Sequence, residues 1–137
     1  MKFEESAGGI VFKKEDSQIY ILITQHSQHH GWIFPKGLIE PPENPKTTAV
    51  REVSEEGGVV AKIVQELPPT EYFYQHGGDK IKKKVTYFLM EYVSGDPGDH
   101  DWEMEDAKWV SVEKVEELLT YNSDKEVFQK AKKILKK

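Results

Sequence analysis

Apolar residues in this chain come in short, β-branched and aromatic runs, separated by clusters of glycine, proline and charge. GGIVF (Gly8–Phe12) and QIYILIT (Gln18–Thr24), joined by the polar KKEDS, predict a hairpin. WIFPKG (Trp32–Gly37) is apolar until Pro35 breaks it, and EPPENP (Glu40–Pro45) predicts a loop. Asn44 before Pro45 has the form of an N-cap with proline at the first helical position. A helix is therefore expected over Pro45–Glu56, stopped by Gly57 or Gly58. VVAKIVQEL (Val59–Leu67) predicts a strand that Pro68 and Pro69 end. EYFYQ and KKKVTYFLMEYV flank HGGD (His76–Asp79), the strongest hairpin signal in the chain. AKWVSV (Ala107–Val112) predicts a last strand. Two helices are expected to follow, one capped by Ser111 and one opened by the capping box SDKE (Ser123–Glu126). The sum is an α+β chain: a mixed sheet, one helix in the middle and helices at the end. No repeat or linker divides it, so one domain over 1–137 is expected.

Composition narrows the function classes. The formal net charge of -5 argues against general nucleic-acid binding. The absence of cysteine removes disulfides and thiolate metal sites, and is compatible with a reducing cytoplasm, the expected location. The N-terminal MKFEESAGGIVF places acids before a short apolar run, which is not a signal-peptide pattern. No run approaches the roughly 18 apolar residues of a membrane helix.

One segment breaks two local rules at once. In REVSEEGGV (Arg51–Val59), Glu52, Glu55 and Glu56 stand at i, i+3 and i+4 of the expected helix, so they share a face. They repel one another there, and the C-terminal end of a helix disfavours negative charge. A divalent cation reverses both penalties, and Mg²⁺ prefers carboxylate oxygens with substrate phosphates completing its shell. The alternative is a solvated face in which Arg51 pairs with Glu55 at i,i+4 spacing.

Upstream residues bear on that choice. Gly37, five residues, Glu43, seven residues, Arg51-Glu52-Val53, one residue, Glu55-Glu56, one residue, Gly58-Val59 resembles the complete Nudix signature, filled at every fixed position over residues 37–59. SAGGIVF before it, WIFPKG leading into it, and TYFLMEYV and AKWVSVEKVEELL after it are similar to the same family, so the resemblance spans nearly the whole chain. It implies an α/β/α sandwich around a mixed sheet, with the signature as loop–helix–loop. It also implies Mg²⁺-assisted hydrolysis of a pyrophosphate link in a nucleoside diphosphate derivative, with Mn²⁺ as a substitute ion. Carried over by position, Glu52, Glu55 and Glu56 become metal ligands, joined by the main-chain carbonyl of Lys36 or Gly37. Glu52 or Glu56 becomes the base for water, with the choice open. Glu43 and Arg51 brace the loop, Val53 packs inward, and Gly37 and Gly58 are structural. The acidic segment HDWEMEDAKW offers Glu103, six residues before Trp109, as a further ligand or base.

Within the family, WIFPKG, AGG and YFLM most resemble the diadenosine polyphosphate hydrolases, and a nucleotide substrate follows. Alternatives are an RNA 5′ end, an oxidised nucleotide, ADP-ribose, an inositol pyrophosphate, or a binding module without catalysis. Lys36 and Lys83 are the expected phosphate contacts. Strand alternation sets Lys83 on one face and Lys82 with Lys84 on the other. Tyr74 is the preferred base-stacking residue and Tyr121 the second, because aromatic faces stack on bases. His29 and His30 read as part of a solvated loop, not a metal site. Monomer and dimer are not distinguished.

Overall fold

The computed structural model describes residues 1–136. Its eight strands form one mixed sheet. β1 (Lys2–Glu15) turns through Asp16 and Ser17 into β2 (Gln18–His26), its antiparallel partner. On its other side β1 runs parallel to β7 (Asp79–Gly95), from Lys2 opposite Ile81 to Phe12 opposite Glu91. β3 (Trp32–Ile33) and β8 (Met104–Ser111) attach to β2, and β4 (Lys36–Leu38) attaches to β1. β5 (Val59–Glu66) and β6 (Thr70–His76) pair with the second and first halves of β7.

Strand alternation divides the apolar side chains between two layers. α1 (Pro45–Gly57) packs Ala49 and Val53 against Val11, Leu22, Phe88 and Met90. α2 (Val115–Leu118) and α3 (Asn122–Leu135) cover the other face, where Phe128 joins Ile10, Ile23, Tyr87 and Leu89. The result is the expected sandwich of helix, mixed sheet and helix. No helix among the described residues is long and apolar enough to cross a membrane.

Three local expectations change. β1 begins six residues before Gly8, because its polar first half is carried by the ladder to β7 and not by burial. Ser123 is not a cap: α3 starts at Asn122, after an extended Tyr121, with no side-chain cap hydrogen bond. Ser111 instead ends β8, and its carbonyl accepts the Lys114 N–H that leads into α2. The HGGD turn does close a hairpin, with Gly77 and Gly78 both at positive φ. The β7 arm of that hairpin is also paired to β1, whereas β6 pairs with β7 alone and has no buried residue.

Candidate active site

The carboxylate helix is fixed at both ends by its own sequence. Asn44 accepts the Thr47 N–H, Pro45 opens the first turn, and Gly58 closes the last in the left-handed region at φ 73. Helical spacing then puts Glu52 and Glu56 on the buried side with Val53, while Glu55 stays exposed. Glu52 and Glu56 are 8% and 5% exposed, so two carboxyl groups are held in a site largely closed to water. Gly37 on β4 makes room for one of them: a Cβ there would lie 2.2 Å from the Glu52 carboxyl carbon.

Their hydrogen bonds differ. Glu56 Oε1 accepts the Lys36 N–H at 3.0 Å. Glu52 Oε1 accepts Arg51 Nη1 at 2.7 Å, and the same nitrogen lies 3.2 Å from Glu55 Oε2. Arg51 is itself gripped by Glu43, through Nε at 2.7 Å and Nη2 at 3.0 Å. This pairing holds Glu43 well below the usual carboxylate range, at about 2, and raises Arg51. Burial pushes Glu56 up to about 8, opposed by the Lys36 N–H and assisted by the charge of Glu52. Glu52 is raised by the same desolvation, with Arg51 partly offsetting it.

A second acidic segment approaches this pair. Asp101 N–H donates to the Glu55 carbonyl at 2.8 Å, docking the loop on the end of α1. The Glu103 carbonyl accepts both the N–H and the hydroxyl of Ser27, at 3.0 and 2.8 Å. The Glu103 charge raises both Glu52 and Glu56, and Asp101 adds to the effect on Glu56. Glu105 instead pairs with His30, and Asp106 is paired in β8 opposite Gln25.

The donor set suits a hard divalent cation. All the candidate side-chain ligands are carboxylate oxygens, the pattern for Mg²⁺ or Mn²⁺. Arg51 places a guanidinium nitrogen between Glu52 and Glu55, so a cation already stands among these groups. Among the described residues, no three His, Asp or Glu side chains are gathered into a finished metal shell.

Beside the carboxylates opens a cleft of about 790 Å³. Lys36 and Lys83 line it, with Tyr72 and Tyr74 from the edge strand β6. Lys36 Nζ lies 3.5 Å from the Tyr72 hydroxyl. Tyr74 donates to Glu4 at 2.6 Å, which pushes its phenol up to about 12. Burial and Lys36 lower Lys83. Lys82 and Lys84 face away from this cleft, and Lys82 pairs with Glu71. The opposite rim carries His26, His29 and Tyr121. His29 stacks on His26 at 4.3 Å and meets the Tyr121 ring edge-on at 5.8 Å.

Residues 2–131 match the family model described as NUDIX domain. The chain belongs to the Nudix family. Over 85% of its length it is 28% identical to a bis(5′-nucleosyl)-tetraphosphatase (asymmetrical) of Caenorhabditis elegans, covering 86% of that protein. It is 30% identical, over 98% of its length, to a MutT4 protein of Mycobacterium tuberculosis, of which it spans 56%. Over 64% of its length it is 38% identical to a human diphosphoinositol polyphosphate phosphohydrolase, of which it spans 46%. The structure of a C. elegans Ap4A hydrolase binary complex superposes with a TM-score of 0.70 at 26% identity, covering 97% of this chain and 98% of the other. The NUDIX domain of Shewanella oneidensis NrtR, complexed with ADP ribose, shares the fold at a TM-score of 0.77 and 19% identity, covering 98% and 90%.

Beyond the Nudix signature, the site contains groups that the sequence did not mark. Asp101 acts on Glu56 through the loop docking, and nothing local to its sequence announces that contact. His29, read as a solvated loop residue, is exposed but stands at the cleft rim. Tyr72 reaches Lys36 because β6 pairs with β7. Asp124 is 4% exposed in the cleft wall, where α3 meets β7. For Tyr72, strand alternation with Tyr74 was the available signal.

Proposed function

We propose that this chain hydrolyses a phosphoanhydride link in a nucleoside diphosphate derivative, with a bis(5′-nucleosyl) tetraphosphate such as diadenosine tetraphosphate as its substrate. The observation that carries this reading is the position of Lys36. Its N–H holds Glu56 while its side chain lines the aromatic cleft, so acid–base groups and a phosphate contact share one residue. Lys36 and Lys83 offset the charge of a polyphosphate chain, and Tyr74 and Tyr121 offer faces for a base.

The chemistry is displacement at phosphorus. A water oxygen forms the new P–O bond, the bridging P–O bond breaks, and a nucleoside phosphate leaves. Glu56 takes the water proton at Oε2, the oxygen not engaged by Lys36. Its environment favours that role, because Glu52 is tied to Arg51 while Glu56 is not. Glu103 keeps the local field negative, and Glu43 fixes Arg51 so that the carboxylates keep their positions. Bound Mg²⁺, or Mn²⁺ in its place, would be held by Glu52, Glu55 and Glu56 with a Lys36 or Gly37 carbonyl, and would neutralise phosphate charge and activate water.

An inositol pyrophosphate fits less well, because an inositol ring has no flat face for the cleft tyrosines to stack on. The test incubates purified protein with diadenosine tetraphosphate, with and without Mg²⁺, and separates the products. Mg²⁺-dependent nucleotide release is expected, falling by orders of magnitude in Glu56→Gln. Release no greater than in that variant sinks the reading. Tight binding without turnover under any divalent ion would favour a binding module.

A further inference from the structure

The most exposed large apolar side chain among the described residues is Trp102, at 82%. A single apolar residue at a surface needs no explanation by itself. What sets Trp102 apart is the backbone that carries it. Trp102 and Glu103 form the tip of a turn, closed by the Met104 N–H donating to the Asp101 carbonyl at 3.3 Å. Asp101 Oδ1 accepts the Glu103 N–H at 3.1 Å and stiffens the same turn. The Asp101 N–H is tied to the Glu55 carbonyl of α1, the Glu103 carbonyl is tied to Ser27, and Met104 is buried. The chain is thus anchored on both sides of the indole while the side chain itself stays in water. A large flat ring on a rigid turn lowers the entropy lost when a ligand covers it.

The ring borders a hollow. Trp102, Glu103, His26, Ser27 and Gln28 line about 260 Å³, room for a nucleobase. His26 and Gln28 also line the main cleft, so the two spaces adjoin. The hollow meets the carboxylates through Glu103, whose charge acts on both Glu52 and Glu56. It therefore lies beside the carboxylates and outside the space lined by Lys36, Lys83 and Tyr74. Two of its polar groups are already engaged: His26 Nδ1 accepts the Gln28 N–H at 3.1 Å, and Ser27 Oγ donates to the Glu103 carbonyl at 2.8 Å. No lysine or arginine lines it, and Glu103 is an anion, so it is not a second phosphate site. What it offers a ligand is the face of an indole.

We propose that this hollow receives the second nucleoside of a dinucleoside polyphosphate, with its base stacked on Trp102. This rests on the nucleotide reading of the cleft given above. A molecule with a nucleoside at each end of a polyphosphate chain needs two aromatic seats, with groups that handle phosphate between them. The tyrosine-lined cleft supplies one seat. From there Lys36 holds Glu56, Glu103 acts on Glu56, and Trp102 follows Glu103 as the other seat. Glu103 repels a free terminal phosphate but not an uncharged nucleoside, so the hollow favours a chain capped at both ends. An aromatic face stacks on any base, so this seat takes purine or pyrimidine.

Two ligands that differ only in the second nucleoside test this. Calorimetry uses Glu56→Gln protein with Mg²⁺, and titrates diadenosine tetraphosphate and adenosine 5′-tetraphosphate. Adding Trp102→Ala is expected to weaken diadenosine tetraphosphate roughly fivefold to fiftyfold, the range for one stacked base. Trp102→Phe should restore most of that loss. Adenosine 5′-tetraphosphate should move by less than about threefold in both variants. Diadenosine tetraphosphate affinity unchanged by Trp102→Ala overturns the proposal. Equal losses for the two ligands overturn it as well, because Trp102 would then serve the turn and Glu103 rather than a second nucleoside. Failure of both ligands to bind protein that retains Trp102 removes the nucleotide reading and the proposal together. A loss confined to diadenosine tetraphosphate, with no hydrolysis of it by the unmodified chain, supports the second seat and sinks only the catalytic reading.

Discussion

At the scale of single residues, space is the limiting quantity around Glu52. The Gly37 backbone is pressed so closely against its carboxyl that any side chain there must displace it. Gly37→Ala should therefore lower kcat by at least about tenfold. The melting temperature should move by only a few degrees, because β4 is short and at the surface. Loss of activity together with loss of the folded state would show Gly37 to serve the fold and not the carboxylate. The reason Gly37, Glu52 and Glu56 could be picked out beforehand is that their relation is written locally: a loop spacing and a helical period. Asp101 and Asp124 could not be. Each gains its neighbours only when a loop docks on α1 or when α3 crosses β7, and neither approach leaves a pattern in adjacent residues.

Elements differ in how far their limits are set from within. α1 is bounded by chemistry at its ends, so Asn44, Pro45 and Gly58 made it legible. α3 has no side-chain cap, and its first turn is closed by the Asp124 and Lys125 N–H groups donating to the Tyr121 carbonyl, which SDKE did not reveal. The first half of β1 is likewise dictated by its partner β7. Gly58 shows the cost of changing an internal limit. It sits at φ 73, and a Cβ would lie 2.4 Å from the Asp96 carbonyl oxygen. Gly58→Ala should destabilise by about 1–2 kcal/mol from backbone strain alone, and more from the clash. Chemical denaturation measures it, and an unchanged midpoint would refute the strain argument. The β6–β7 hairpin has the opposite character. With no buried residue in β6, its amides should exchange with solvent faster than those of β1 by orders of magnitude. Nucleotide should slow that exchange, because Tyr72, Tyr74 and Lys83 all line the cleft from this hairpin. Exchange unaffected by a bound nucleotide would place the ligand elsewhere.

For the molecule as a whole, the carboxylates set opposing pH dependences. Glu43 is depressed to about 2 by Arg51, so its contribution is present above the ordinary carboxylate value of 4.5 and is lost as pH falls toward 2. Glu56 behaves in the reverse sense. Its folded value of about 8 lies above the ordinary 4.5, so the folded chain binds more protons between those limits. Stability from Glu56 is then complete below about 4.5 and is lost as pH rises through about 8. Glu52 and Asp124, both raised by burial, act in the same direction. His29 is lowered from 6.5 and opposes them only below that value. In EDTA, the melting temperature should accordingly fall between pH 6.5 and 8.5, where Glu56 must ionise without a cation. Mg²⁺ added at pH 8.5 should recover much of that loss, and should do less at pH 6.5, where protons compete for the same oxygens. Glu56→Gln removes the group that ionises, so its melting temperature should be flatter over this range and less responsive to Mg²⁺. A melting temperature that rises from pH 6.5 to 8.5 in EDTA would mean that Glu56 ionises normally. The Glu52–Glu56 pair would then carry no unmet demand for positive charge.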